Sequence, residues 1–159
     1  MRILFTSLFL AALAMFASAI PQTITSGTFG SAAGLSFEQF ASARTTWAPG
    51  AALAGSWSPP AADGARTLAE TAVVFGLPAA EVRAEESRDR LTRLRVVFRE
   101  SGQERRTLFT RVTQGIAAFT GHPARTEDKE ARVFRHEQTQ IRATPAGEGE
   151  VVVEFTPVP

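Results

Sequence analysis

Two side chains in this chain, His122 and His136, have the intrinsic acidity to move protons near neutral pH, and no cysteine is present to serve as nucleophile or soft metal ligand. The histidines fall in different contexts, His122 in the turn Gly121-His122-Pro123 and His136 in a strand-like stretch. Serines and acids are plentiful, but no Gly-x-Ser-x-Gly elbow selects one serine, so no catalytic residue is assigned. His122 with Glu127, Asp128 or Glu130 lacks the His-x-x-x-His or acidic-loop spacing of a metal site. Gly27, Gly30 and Gly34 have the wrong spacing for a phosphate loop. Neither a metal nor a cofactor is expected. The remaining chemistry is binding. Arg93, Arg95 and Arg99 recur on one parity of an alternating run, with Arg83 on the stretch before it, and a planar guanidinium suits carboxylate or phosphate. His136, Glu137 and Gln138 form a second polar group, suited to the wall of a wet pocket. Trp47 and Trp57 are a third candidate, because large aromatics are costly to leave in water.

The elements that position these residues begin with Leu91 to Arg99. There Leu94, Val96 and Phe98 alternate with Arg93, Arg95, Val97 and Arg99, the period-two pattern of a half-buried strand. Val82 to Glu86 reads as its hairpin partner across the polar break Ser87-Arg88-Asp89-Arg90. Upstream, Thr67 and Glu70 have capping-box spacing ahead of Leu68, Ala72 and Phe75, which predicts a short helix ended by Gly76 and Pro78. The order then repeats. Ser101 and Glu104 cap a helix carrying Leu108, Val112, Ile116 and Phe119, followed by strands over Arg132 to Ala143 and Glu150 to Thr156 joined by a turn over Thr144 to Gly149. Both parities of Arg132 to Arg142 are polar, which predicts an edge strand.

Two αββ units of this kind predict an α+β domain over 65–159, with a mostly antiparallel four-stranded sheet and two helices packed on one face. Leu94, Val96, Phe98, Val151, Val153 and Phe155 would meet Phe75, Val112, Ile116 and Phe119 in one core. Helix followed by hairpin, used in tandem, is similar in architecture to small outer-membrane assembly lipoproteins and to tandem-repeat secreted β-lactamase inhibitor proteins. No motif matches residue by residue, and no functional residue is carried over.

Composition sets the setting for this domain. Residues 1–19 combine Arg2, an apolar run from Ile3 to Phe16 and Ala17-Ser18-Ala19, the pattern of a cleaved export signal with a mature start at Ile20. Residues 20–64 are rich in Gly, Ala, Ser and Pro and read as an arm or linker whose aromatic segments dock either on the protein's own core or on a partner. With 17 basic and 16 acidic residues the chain is nearly neutral, which argues against nucleic acid or an anionic membrane as partner. No membrane span is expected after signal cleavage. The sequence therefore predicts an exported, non-enzymatic module of the bacterial periplasm, envelope or extracellular space that acts through contacts with a protein partner. A small-molecule or peptide carrier with a pocket between helices and sheet is the alternative, and a hydrolase is a third reading.

Overall fold

A computed structural model describes residues 36–38, 57–69, 72–102, 105–126, 130–136, 138–147 and 149–158. The signal expected over 1–19, much of the 20–64 arm, Trp47 and Glu137 lie outside the described residues. The described elements are β1 (Ala65–Thr67), β2 (Val73–Val74), β3 (Leu77–Pro78), β4 (Glu81–Ser87), β5 (Arg90–Arg99), α1 (Arg105–Thr120), β6 (Arg125–Thr126), β7 (Arg132–His136), β8 (Thr139–Gly147) and β9 (Glu150–Pro157). Seven strands form one sheet in the order β1-β4-β5-β9-β8-β7-β6, and β2 pairs only with β3. Every neighbouring pair is antiparallel.

Alternation explains why these strands build one apolar layer. Val82, Val96, Val153 and Ala143 stand in register across four strands, and Ala84, Leu94, Phe155, Ile141 and Phe134 make the next rung. All of them are at most 2% exposed. Helix α1 lays Leu108, Val112 and Ile116 on this face, as the four-residue spacing requires, and these three join the strand residues in one cluster. Burial of this kind contributes about 25 cal/mol per Å² of apolar area, so this layer supplies most of the stabilisation. The helix ends at Gly121, whose φ of 69° suits a residue without Cβ and whose N–H donates to the Ala117 carbonyl.

The architecture corrects the expected four-stranded sheet with two helices. No helix forms over Leu68 to Phe75 among the described residues; β1, a bridge from Leu68 to Trp57 and the β2–β3 hairpin take its place. Two causes are visible. Val73 and Val74 are β-branched, and Phe75 (φ 54°) with Gly76 (φ 74°) forms the two-residue loop that joins twisted antiparallel strands. The hairpin nonetheless does the packing the helix was expected to do: the Phe75 ring lies 5.8 Å from Phe119 and 6.0 Å from Phe155. Gly115 makes room for it, since a Cβ there would sit 2.8 Å from the Phe75 Cβ.

A second correction concerns Arg132 to Ala143, which is two strands rather than one. The chain reverses after His136, so that Phe134 faces Ile141 and Arg132 faces Ala143. β8 is therefore interior, between β7 and β9, and the edge position belongs to the two-residue β6. The Thr144 to Gly147 stretch continues β8, with a bulge between Pro145 and Gly147, and the turn to β9 is tighter than expected. Gly149 is required in that turn, because its φ is 65° and any Cβ would collide with the Glu100 carbonyl oxygen.

The outward sheet face as candidate functional site

The same alternation that buries Leu94, Val96 and Phe98 turns Arg93, Arg95 and Arg99 to the other side of the sheet, away from α1. Arg83 stands opposite Arg95 on β4, as the sequence spacing suggested. The register extends this row through Glu154 on β9, Arg142 on β8, Val133 on β7 and Arg125 on β6. On the same face Glu85 pairs with Arg93, Thr156, Gln140 and Arg135 stand in register, and Val97 faces Val152. Val97, Val152 and Val133 are buried although they do not belong to the core under α1.

Charges on this face are unevenly compensated. Arg93 sits between Glu85 at 3.6 Å and Glu154 at 3.4 Å. Arg99 donates from Nε to Glu150 at 2.7 Å, a hydrogen bond that raises its guanidinium pKa above the ordinary value. Arg83 pairs with Asp63. Arg83 and Arg95 each bury Nε without a hydrogen-bond partner, and Arg95 differs in making no ion pair with the described residues. Arg125 and Arg135 are exposed and likewise form no ion pair among the described residues. Spacing alone did not reveal Arg125, Arg135 and Arg142, because the turn at Gln138 sets their phase.

The remaining sequence candidates are not drawn together. His136 lies on the helix side of β7, its ring 4.9 Å from Phe119, while Gln138 is exposed in the turn and its carbonyl accepts the Val158 N–H at 2.8 Å. Trp57 packs edge-on against Phe37, with ring centroids 5.2 Å apart, and Phe37 is itself only 5% exposed. The Arg66 guanidinium covers the Phe37 ring at 4.3 Å and lies 3.6 Å from Glu86. These aromatics are thus docked on the protein's own core. His122 is exposed, with its carbonyl accepting the Thr120 hydroxyl at 3.1 Å.

Among the described residues no group of three or more His, Asp or Glu could hold a metal ion. One open surface hollow is lined by Ser87, Arg88, Arg90, Leu91, Thr92 and Pro157 at the β4–β5 tip, and another by Arg106, Thr107, Thr110 and Arg111 on α1. Neither lies between helix and sheet. No described helix is long and apolar enough to cross a membrane. Comparison of the chain with protein-family models, with curated proteins and with solved structures gives no match.

Proposed function

We propose that this chain is an exported, non-enzymatic module of the bacterial envelope or extracellular space, and that it acts through protein contacts made by the outward face of its sheet. The observation that carries this reading is the group of arginines on that face, of which Arg95, Arg125 and Arg135 have no ionic partner among the described residues. Guanidinium groups left unpaired on a flat face retain their forked donors for a partner's carboxylates or carbonyls. The inward docking of Phe37 and Trp57 favours this face over the aromatic arm as the contact surface. Export rests on the apolar run from Ile3 to Phe16 and the Ala17-Ser18-Ala19 site.

A photo-crosslinking residue placed at Arg135 in the native cell tests the contact surface. A discrete protein adduct from position 135, absent when the probe sits at the exposed Gln114 of α1, is the expected result. Equal adducts from both positions, or none from 135, would defeat the reading. Export is tested separately by mass spectrometry, which should find a mature chain beginning at Ile20.

A further inference from the structure

The ladder between two inner strands of the sheet stops short of their ends. β5 and β9 pair no further than Leu94 and Phe155, although β5 starts at Arg90 and β9 continues to Pro157. Beyond that point each strand stays with its other neighbour. Glu86 and Ser87 remain opposite Leu91 and Arg90 past a bulge at Glu85, while Pro157 remains opposite Thr139 and the Val158 N–H donates to the Gln138 carbonyl. A bulge sharpens local twist and a proline has no N–H for the ladder, so the two ribbons part. The mouth between them is an open hollow of about 630 Å³ lined by Ser87, Arg88, Arg90, Leu91, Thr92 and Pro157. We infer that this mouth binds a small phosphate monoester, its phosphate held by Arg88, Arg90 and Ser87 and its organic body lying against Pro157. The site does not rest on the protein-contact reading above.

The free polar groups at the mouth can all donate. Arg88 and Arg90 form no ion pair and no side-chain hydrogen bond among the described residues, and the Ser87 hydroxyl forms no hydrogen bond there either. Thr92 already gives its hydroxyl hydrogen to the Glu85 carbonyl at 3.1 Å. Of the neighbouring acids, Glu85 lies 3.6 Å from Arg93 and Glu86 lies 3.6 Å from Arg66. Asp89 sits between the two arginines in the chain without lining the hollow, and it offsets part of their charge. Selection therefore falls to the forked donors rather than to net charge. Two forks and a hydroxyl match the three terminal oxygens and double charge of a phosphate monoester better than the two oxygens and single charge of a carboxylate. The volume lies within the range of small-ligand sites, roughly 300–1,000 Å³, so inorganic phosphate alone would leave most of it unfilled. Leu91, only 1% exposed, closes the floor, and Pro157 is an exposed apolar wall. The turn adds separate support. Arg88 and Asp89 have φ of 52° and 59°, left-handed values for which asparagine and glycine are the unstrained choice. A long cationic side chain kept at such a position points to a task for its guanidinium rather than for the turn.

Titration of the purified protein with phenyl phosphate, followed by amide NMR shifts, tests the site. Shifts should concentrate in residues 87–92, and affinity should fall about tenfold or more in Arg88→Gln/Arg90→Gln. Arg106→Gln/Arg111→Gln, which removes equal charge from the hollow on α1, should bind like the parent. Arg88→Gly separates binding from folding: glycine accepts the positive φ, so the thermal midpoint should hold while affinity drops about threefold or more. Raising the pH from about 5 to about 7.5 should strengthen binding, because the phosphate loses its second proton near about pH 6. Benzoate and inorganic phosphate should each bind about tenfold more weakly than phenyl phosphate. Absence of binding, equal affinity for benzoate or inorganic phosphate, no loss in Arg88→Gln/Arg90→Gln, equal loss in the α1 control, or a lowered midpoint in Arg88→Gly would each overturn the inference. None of these results bears on the crosslinked adduct expected from position 135, so the two readings fail separately.

Discussion

On β5 the inward residues Leu94, Val96 and Phe98 are at most 1% exposed, while the side chains of Arg93 and Arg99 on the opposite parity remain 46% and 58% exposed. Ten consecutive residues thus serve two environments with no change of element. The inward face is a solid in which volume is the limiting quantity; the outward face is a charge pattern in which pairing is. The contrast teaches that a polar sheet face need not be inert. Here Arg93 and Arg99 are matched by glutamates, whereas Arg125 and Arg135 form no ion pair among the described residues, so the pairing of charge varies across the face although the strands beneath it are continuous.

Urea unfolding of point variants tests how sharply the two faces differ. Phe98→Ala should cost most, about 3–5 kcal/mol, because the cavity it leaves is enclosed by Val151 and its neighbours. Gly115→Ala follows, at about 1–3 kcal/mol, since the new methyl meets Phe75 and outweighs the gain of up to about 1 kcal/mol in helix propensity. A stabilised Gly115→Ala would mean that the β2–β3 hairpin does not press on α1. Val97→Ala, on the outward face yet only 2% exposed, should cost about 1–2 kcal/mol; a neutral result would make that face uniformly surface-like. Arg93→Ala, which removes contacts with Glu85 and Glu154, should cost at most about 1 kcal/mol, and less in high salt. Smallest of all, Arg135→Ala should stay within about 0.5 kcal/mol of the parent. A large loss there would erase the distinction between faces and the contact surface built on it.

Sequence pattern revealed those parts of the molecule in which one element carries its own complete periodicity. Leu94, Val96 and Phe98 set the phase of β5, and Leu108, Val112 and Ile116 set that of α1, with no help from neighbours. What stayed hidden depends on turns whose residues carry no strong signal. Phe75 adopts positive φ, which bulky side chains seldom do, so the β2–β3 loop does not announce itself by composition, whereas the polar break at Ser87-Arg88-Asp89-Arg90 did mark the β4–β5 turn. The reversal after His136 has neither glycine nor proline, and missing it placed Phe134 and Ile141 on opposite faces when they are partners. The candidate site shows the same division. Arg93, Arg95 and Arg99 were legible from β5 alone, whereas Arg125, Arg135 and Arg142 join them only through the pairing of four further strands.

The position of β9 has a consequence in time. It is the last of the described strands in chain order, yet it lies in the middle of the sheet, between β5 and β8. Without it the remaining strands fall into two separate ribbons, β1-β4-β5 and β8-β7-β6, each with one long side unpaired. A ribosome delivers residues 150–157 after every other described strand, so the two ribbons cannot be joined before those residues have emerged. Contacts this distant in sequence also close slowly, because the loop entropy must be met before the pairing is gained. A domain arranged in this way stays pliable until β9 has been made. For a protein proposed to leave the cytoplasm, the strand order itself would then act as a delay, holding the polypeptide in a state thin enough to thread through a narrow channel.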